Sequence, residues 1–351
     1  MNRLGTFVHV SDLHFGGEKV GRSFDPWARY VPLLNGFVGH DPATLRYLQS
    51  SLNRLRRSEP GTKLIVTGDL TAFGAAAQFH DSTSFLGGPG KAPHFLGLNE
   101  VDWKDRSIPG NHDQWPGIPF FPLGGPNKTV HKLFAAHRVG PHVALPGRRV
   151  LEFLRLDSDA DVDPWSAQRL YACGSFVSNL ATLDSKMTPP ETNRIRVLLI
   201  HHSFEFIGHV VRPGTLMPIS VGIHHLAIDP PSRQALAAFV RKHDIRVLLT
   251  GHVHCPHYLG NPFGLFADAT PALEARCGSS TQRLAPGGPG GAKGRVQNTL
   301  MVHRLLEDPA TRHIYWDTEV CGLSLHQGTG FAPHPPSANG PAVQHRQRVW
   351  P

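Results

Sequence analysis

The chain has 351 residues, enough for one large domain or two ordinary ones, and a hydrophobic fraction of 40%, which supports a buried core and leaves room for polar loops. No apolar run approaches the length of a membrane span, and Cys173, Cys255, Cys277 and Cys321 are too far apart to form a CxxC pair, so neither a disulfide framework nor a cysteine zinc site is indicated. The net charge of +8 suits anionic substrates, but the basic residues are scattered, which points to general solubility rather than to a nucleic-acid surface.

The chain starts with a strand-like segment, Thr6–Val10, with no charged stretch leading into an apolar one. No secretion signal is therefore expected, and a cytoplasmic location is the natural reading. This first run ends in Ser11-Asp12-Leu13-His14. Residues 16–40, rich in Gly, Pro and aromatics, read as irregular. Asp41-Pro42 then opens a helix over Thr44–Arg57, with Leu45, Leu48, Leu52 and Leu55 spaced by three or four. A second apolar run, Lys63–Val66, ends in Thr67-Gly68-Asp69, and a third, Asp105–Pro109, ends in Gly110-Asn111-His112-Asp113. Residues 114–149 again read as irregular, and His131, His137 and His142 within them lack ligand spacing and are taken as surface groups. Val197–Ile200 runs into His201-His202, followed by an insert whose His209, His224 and His225 read as surface or pocket-wall groups. Ser232–His243 repeats the helical pattern with Leu236, Phe239 and Val240 on one face. Arg246–Leu249 ends in Thr250-Gly251-His252-Val253-His254. Arg276–Ser279 reads as a sheet edge, 281–295 as a Pro/Gly loop, Asn298–His303 and His313–Trp316 as strands, and the stretch from about 326 as a flexible tail.

Short runs of Val, Ile and Leu bounded by Gly read as buried strands, and their alternation with helices points to a layered α/β fold. All five polar clusters fall at carboxyl ends of strands, where such folds carry their reactive groups. Asp12-x-His14 places two ligands on alternate positions of a strand end, so both side chains point the same way, and His252-x-His254 does the same with two imidazoles. Taken singly, Asp12 or Asp69 could cap a helix; taken with the other clusters, they read as metal ligands. Asp, His and Asn without Cys favour two divalent ions such as Mn²⁺, Fe, Zn²⁺ or Co²⁺. His9 reads as a strand residue and Cys255 as a small core residue.

The ordered set Asp12-Leu13-His14, Gly68-Asp69, Gly110-Asn111-His112-Asp113, His201 and Gly251-His252-Val253-His254 resembles the calcineurin-like metallophosphoesterase superfamily. The wording Ser11–Gly16 with Thr67–Thr71 is similar to its bacterial cyclic-nucleotide phosphodiesterase branch. The resemblance implies a four-layer α-β-β-α sandwich of two mixed sheets over residues 1–325. It implies one ion held by Asp12, His14, Asp69 and His254 and another by Asp69, Asn111, His201 and His252. It further implies a bridging hydroxide as nucleophile and His112 as the leaving-group acid. His112 and the adjoining Asp113 are the candidate catalytic residues, and His112 tied to Asp113 in a purely structural role is the alternative. The branch usually carries two prolines after its histidine pair; here the sequence is His201-His202-Ser203-Phe204, and His202 is the alternative ligand. The implied substrate is a small phosphoester, possibly a nucleotide, and the implied activity is that of a phosphodiesterase. A membrane or nucleic-acid partner is not expected, and the oligomeric state is left open. Phe24, Trp27, Tyr30, Trp115, Phe120 and Phe121 could stack on a base or pack the long loops. The competing readings are a non-catalytic scaffold on the same fold and a nuclease of the superfamily.

Overall fold

The structure, a computed structural model, describes residues 1–16, 40–72, 74–88, 95–98, 103–114, 117–118, 121–122, 134, 138–163, 172–207, 209–210, 224–260, 265–266, 272–281, 298–324, 330–333 and 344–350. In chain order it contains β1 (Asn2–Val10), α1 (Pro42–Ser58), β2 (Lys63–Thr67), α2 (Ala76–Gly87), β3 (Ser107–Ile108), the single turn α3 (Asn111–Gln114) and the small hairpin β4 (Gly117–Ile118) and β5 (Phe121–Pro122). Then come β6 (Arg138–Leu145), β7 (Arg149–Leu156), α4 (Val177–Asp184), β8 (Arg194–Ile200) and the short pair β9 (His209–Val210) and β10 (His224–His225). The described chain closes with α5 (Pro230–Lys242), β11 (Ile245–Thr250), β12 (His257–Gly260), β13 (Leu273–Arg276), β14 (Thr299–Glu307), β15 (Ile314–Ser324), β16 (Gly330–Pro333) and β17 (Gln344–Trp350).

Two mixed sheets carry the fold. One has the order β16-β15-β14-β1-β2-β3, with β17 also paired to β15; the other has the order β12-β13-β11-β8-β7-β6. Period-two alternation sorts their side chains into three apolar layers. Phe7 and Ile65 on the first sheet face Phe153, Val197, Leu199, Val247 and Leu249 on the second. Val8, Val10, Leu64 and Val66 point the other way, onto Leu45, Leu48 and Leu52 of α1 and Phe79 and Phe85 of α2. Leu154, Leu198, Ile200 and Leu248 likewise face Leu180 and Leu183 of α4 and Leu236, Phe239 and Val240 of α5. Helix, sheet, sheet, helix is the four-layer arrangement expected. Each such side chain taken out of water stabilises the fold by about 1.5–3 kcal/mol.

The two expected helices start as their sequences indicate. Asp41 caps α1 by accepting from the Ala43 amide at 3.1 Å, with proline in the first turn. Asp229 caps α5 by accepting from the Ser232 amide at 2.8 Å, again beside proline.

Several expectations need correction. The stretch 114–149 contains β6, an edge strand whose alternating exposure is broken by Gly140-Pro141; an edge tolerates proline, which is why the run did not read as a strand. The stretch from 326 onward is not simply a tail, because β16 and β17 both pair with β15. The polar sequence Gln344-His345-Arg346-Gln347-Arg348 hides this second strand, since an edge strand needs few apolar residues. Cys255 is exposed rather than part of the core. Among the described residues no helix is long and apolar enough to cross a membrane.

Register now places the loops. β1 runs parallel to β2 with Val10 opposite Val66, and β2 runs parallel to β3 with Thr67 opposite Ile108. The segments 11–14, 68–71 and 109–113 therefore lie side by side at one end of the first sheet. In the second sheet Leu249 of β11 lies opposite Leu199 of β8, which brings His201 next to Gly251. Both sets of loops leave at the same end of the sandwich.

Candidate metal centre

The first loop crosses onto the second through backbone bonds. The Asp12 amide donates to the Gly68 carbonyl at 3.1 Å, His14 to Asp69 at 2.9 Å and Phe15 to Leu70 at 2.9 Å. Asp12, His14, Asp69, His252 and His254 all adopt left-handed backbone angles, with φ of 53°, 48°, 51°, 70° and 58°. Non-glycine residues seldom do so, and such strain concentrates at functional sites. This changes the reason for the Asp12/His14 and His252/His254 pairings. They converge because each sits in a left-handed turn beyond its strand, not because strand alternation continues through them. The glycines before the ligands are required by close approach. A Cβ on Gly110 would lie 2.2 Å from Asp69 Oδ1, and one on Gly251 would lie 1.9 Å from Ser11 Oγ.

The candidate ligand atoms form two groups. In the first, Asp12 Oδ1 lies 3.1 Å from His254 Nε2 and 3.8 Å from His14 Nε2, the two imidazole nitrogens lie 3.2 Å apart, and Asp69 Oδ2 lies 3.9 Å from His14 Nε2. In the second, His201 Nε2 lies 3.3 Å from Asp69 Oδ2, 3.1 Å from Asn111 Oδ1 and 3.2 Å from His252 Nδ1. Asp69 Oδ2 is common to both. Bonds of about 2.0–2.2 Å to a metal put neighbouring ligand atoms roughly 3.0–3.6 Å apart; the second group falls within this range, and in the first group the separations of His14 Nε2 from Asp12 and Asp69, 3.8 and 3.9 Å, are wider. The nitrogen and carboxylate donors of Asp12, His14 and His254 lie within 4.8 Å of one another, and so do those of Asp69, His201 and His252. His14, Asp69 and His112 form a third such group.

Neighbouring groups aim these atoms. Asp12 Oδ2 accepts from the His252 amide at 3.1 Å and Asp69 Oδ1 from the His112 amide at 2.9 Å, so each carboxylate turns its other oxygen into the cluster. His201 donates from Nδ1 to the Thr67 carbonyl at 2.6 Å, and His252 from Nε2 to the Ala172 carbonyl at 3.1 Å. Each bond leaves the opposite ring nitrogen as the lone-pair donor, the usual way an outer hydrogen bond fixes a ligand tautomer. His202 is turned away: its Nδ1 lies 2.7 Å from Ser158 Oγ and its Nε2 3.2 Å from the Ala172 carbonyl. Of the two adjacent histidines, His201 enters the cluster.

The charges suit a cation. Burial pushes His14 down to about 3 and so keeps its imidazole neutral, the form that ligates metals. Burial works against a charged His201 too, but Asp69 and Asp12 outweigh it and push His201 up to about 10. The carboxylate field that draws a proton to this point would equally draw a divalent ion. Asp69 is held well below the usual carboxylate range, against burial, by His201 and His112.

His112 stands at the edge of the cluster. Its ring meets His14 edge to face at 4.9 Å, and its Nδ1 donates to the Ala72 carbonyl at 2.8 Å, which leaves Nε2 for another partner. Asp113, expected beside it as a catalytic residue, lies beneath the site instead. It is buried and accepts from the amides of Leu70 at 3.1 Å, Gly110 at 3.0 Å and Thr71 at 2.8 Å, and from Thr71 Oγ1 at 2.8 Å. Its carboxylate staples the 69–71 loop to the 110–113 turn. Burial and Asp69 push it up to about 7, with these bonds opposing.

The sequence reading missed β7, although Val150–Leu156 running into Asp157-Ser158-Asp159 repeats the signature of the other five clusters. That cluster supports the site from behind, through Ser158 and His202. Ala172 gave no signal, since what it contributes is a carbonyl. His142 is half-exposed and pairs with Glu152 at 2.7 Å, as a surface group can. His9 is a strand residue, as expected, buried and bonded to His303 and Thr67. Phe24, Trp27, Tyr30, Trp115, Phe120, His131 and His137 lie outside the described residues, and of Phe121, His209, His224 and His225 only the backbone is described.

The profile of calcineurin-like phosphoesterases matches residues 5–256 of the sequence, the span that holds every one of these ligand positions. No curated protein matches the sequence. Among solved structures, the NAD nucleotidase NadN of Haemophilus influenzae is similar at 10% identity with a TM-score of 0.38. The match covers 90% of this chain and 48% of that one, so this chain spans about half the length of the nucleotidase.

Proposed function

This chain belongs to the calcineurin-like phosphoesterase family, and from that premise we propose that it is a metal-dependent phosphoesterase whose two-ion centre cleaves small phosphodiesters. Asp12, His14, Asp69 and His254 hold one ion; Asp69, Asn111, His201 and His252 hold the other. The observation that carries this reading is Asp69 Oδ2, which faces His14 Nε2 on one side and His201 Nε2 on the other. A carboxylate oxygen between the two groups would offset the repulsion between two cations held there.

When bound, two such ions supply a nucleophile from water at neutral pH and offset charge on the phosphoryl oxygens. The rest falls to the protein. With Nδ1 committed to Ala72, His112 presents Nε2 to the site, and from that nitrogen a proton would pass to the departing oxygen. Asp113 takes no part in the transfer; it keeps Asp69 and Asn111 in register. A scaffold without catalysis is disfavoured because the sequence carries His112 and a candidate ligand at every expected position.

The preference for diesters rests on the wording of Ser11–Gly16 and Thr67–Thr71. Mn²⁺-loaded protein is expected to cleave bis(p-nitrophenyl) phosphate faster than p-nitrophenyl phosphate, with a weaker response to 3′,5′-cyclic AMP. Cleavage of the monoester alone, across pH and metals, would refute the diester assignment and leave the family membership untouched.

A further inference from the structure

The loop that carries His201 continues through His202-Ser203-Phe204-Glu205 without a proline to stiffen it. Behind it lies Glu274 of β13, 2% exposed. Its Oε1 accepts from Ser203 Oγ at 2.7 Å, from the Phe204 amide at 2.9 Å and from Thr250 Oγ1 at 3.1 Å. Its Oε2 accepts from the Glu205 amide at 2.7 Å. Ser203 lies two residues after His201, and Thr250 lies two residues before His252. One carboxylate therefore ties the end of β8 to the end of β11, and these are the two strand ends that deliver His201 and His252.

The first ligand group is anchored differently. Asp12 and His14 rest on the backbone of 68–70, and the hydroxyl of Ser279 donates to the Asp12 carbonyl at 2.9 Å. Among the described residues, none of the bonds to Glu274 reaches this loop. A buried carboxylate is costly to keep in a sheet unless it is well bonded. The four bonds to Glu274 go to the segment just after His201 and to the end of β11 two residues before His252, with His254 of the first group two residues further on, so what the carboxylate secures most directly is the placement of His201 and His252. Glutamine is nearly isosteric but offers one acceptor oxygen, and its NH₂ would face donors on one side.

We propose that Glu274 is the positioning residue of the second ion site, locking His201 and His252 in ligating geometry in place of a rigid turn. This rests on the two-ion reading above. The test is calorimetric titration of the full chain with Mn²⁺ alone, comparing wild type with Glu274→Gln, Ser203→Ala, Thr250→Val and His14→Ala. Wild type is expected to take up two ions. Glu274→Gln is expected to keep one ion at wild-type affinity and to bind the other about 10–100-fold more weakly, the usual cost of losing an outer-shell partner. The ion it retains is the one that His14→Ala weakens, so the double variant should hold neither tightly. Two ions bound by Glu274→Gln as tightly as by wild type would overturn the assignment, and so would equal weakening of both. If Glu274→Gln does not fold, Ser203→Ala and Thr250→Val decide: selective weakening of one ion supports the assignment, and unchanged affinities overturn it. A wild type that binds a single ion refutes the two-ion reading itself, an outcome distinct from two ions in both wild type and Glu274→Gln.

Discussion

The two halves of the proposed metal centre reach similar spacings by different means. The Asp12/His14/His254 half is built from left-handed turns lying against neighbouring backbone, with the Asp12 and His14 amides bonded to the carbonyls of Gly68 and Asp69. In the His201/His252 half backbone carbonyls of Thr67 and Ala172 set the imidazoles, but the strand ends that carry them hang on one side chain, Glu274. Backbone anchoring survives most substitutions, because every residue brings the same amide. Side-chain anchoring can be lost in one step. The second site should therefore be the more fragile under mutation, and the residues common to both or outside both should respond differently from either.

The largest effect is expected at the shared atom. Asp69→Ala should lose both ions, and activity should fall to background; elemental analysis after desalting reads the ion count. Retention of two ions there, with turnover intact, would break the comparison, since no residue would then join the halves. Next comes His112, which belongs to neither half. His112→Ala should keep both ions and lose about 10²–10⁴-fold in kcat. The loss should shrink for p-nitrophenolate, a leaving group that needs little protonation; an equal loss with poor leaving groups would point to transition-state binding instead.

A smaller effect sharpens the distinction between anchoring and plain stability. Leu198 of β8 is fully buried against the helical layer, one strand face away from the site. Leu198→Ala should cost about 2–5 kcal/mol in denaturant unfolding, with Mn²⁺ affinities unchanged at both sites. Selective weakening of the second ion in this variant would mean that any damage to β8 mimics the loss of Glu274. The smallest expected effect concerns the polar chain Thr67–His9–His303–Thr318 under the first half. Burial pushes His9 down to about 3, with Asp12 opposing, whereas an unfolded chain protonates it near 6.5. The folded state thus binds fewer protons between these values. Stability is complete above about pH 6.5 and declines as pH falls toward 3, by up to about 1.4 kcal/mol per pH unit for each such group. His303, likewise depressed by burial, is the group to remove: His303→Leu should flatten the acid limb of an unfolding curve by about one proton, and an unaltered slope would show that the pair does not stay neutral.

The sequence made the ligand loops legible because a metal site needs particular side chains at strand ends. Asp12, Asp69, Asn111, His201 and His252 announce themselves by following apolar runs or glycines. The four layers were legible for the same reason, since runs such as Val197–Ile200 are apolar on both faces and so must be covered on both. What stayed hidden acts through the backbone or across long separations. Ala172 and Thr67 contribute carbonyls, which every residue has. Glu274 meets Ser203 from 71 residues away, and nothing in Leu273-Glu274-Ala275-Arg276 marks its carboxylate as turned inward. Asp113 sits in the most recognisable motif of the chain, and its position there gave no sign that its carboxylate is taken up by the amides of Leu70, Thr71 and Gly110. The edge strands β6 and β17 were hidden because edges tolerate proline and polar side chains.

The central claim is that Asp69 joins two ion sites, and Mn²⁺-soaked crystals with anomalous scattering measured at the manganese edge test it most directly. Two peaks are expected about 3.5–4 Å apart, one among Asp12, His14 and His254 and one among Asn111, His201 and His252, with Asp69 Oδ2 between them. A single peak, or a second peak remote from Asp69, would contradict the account.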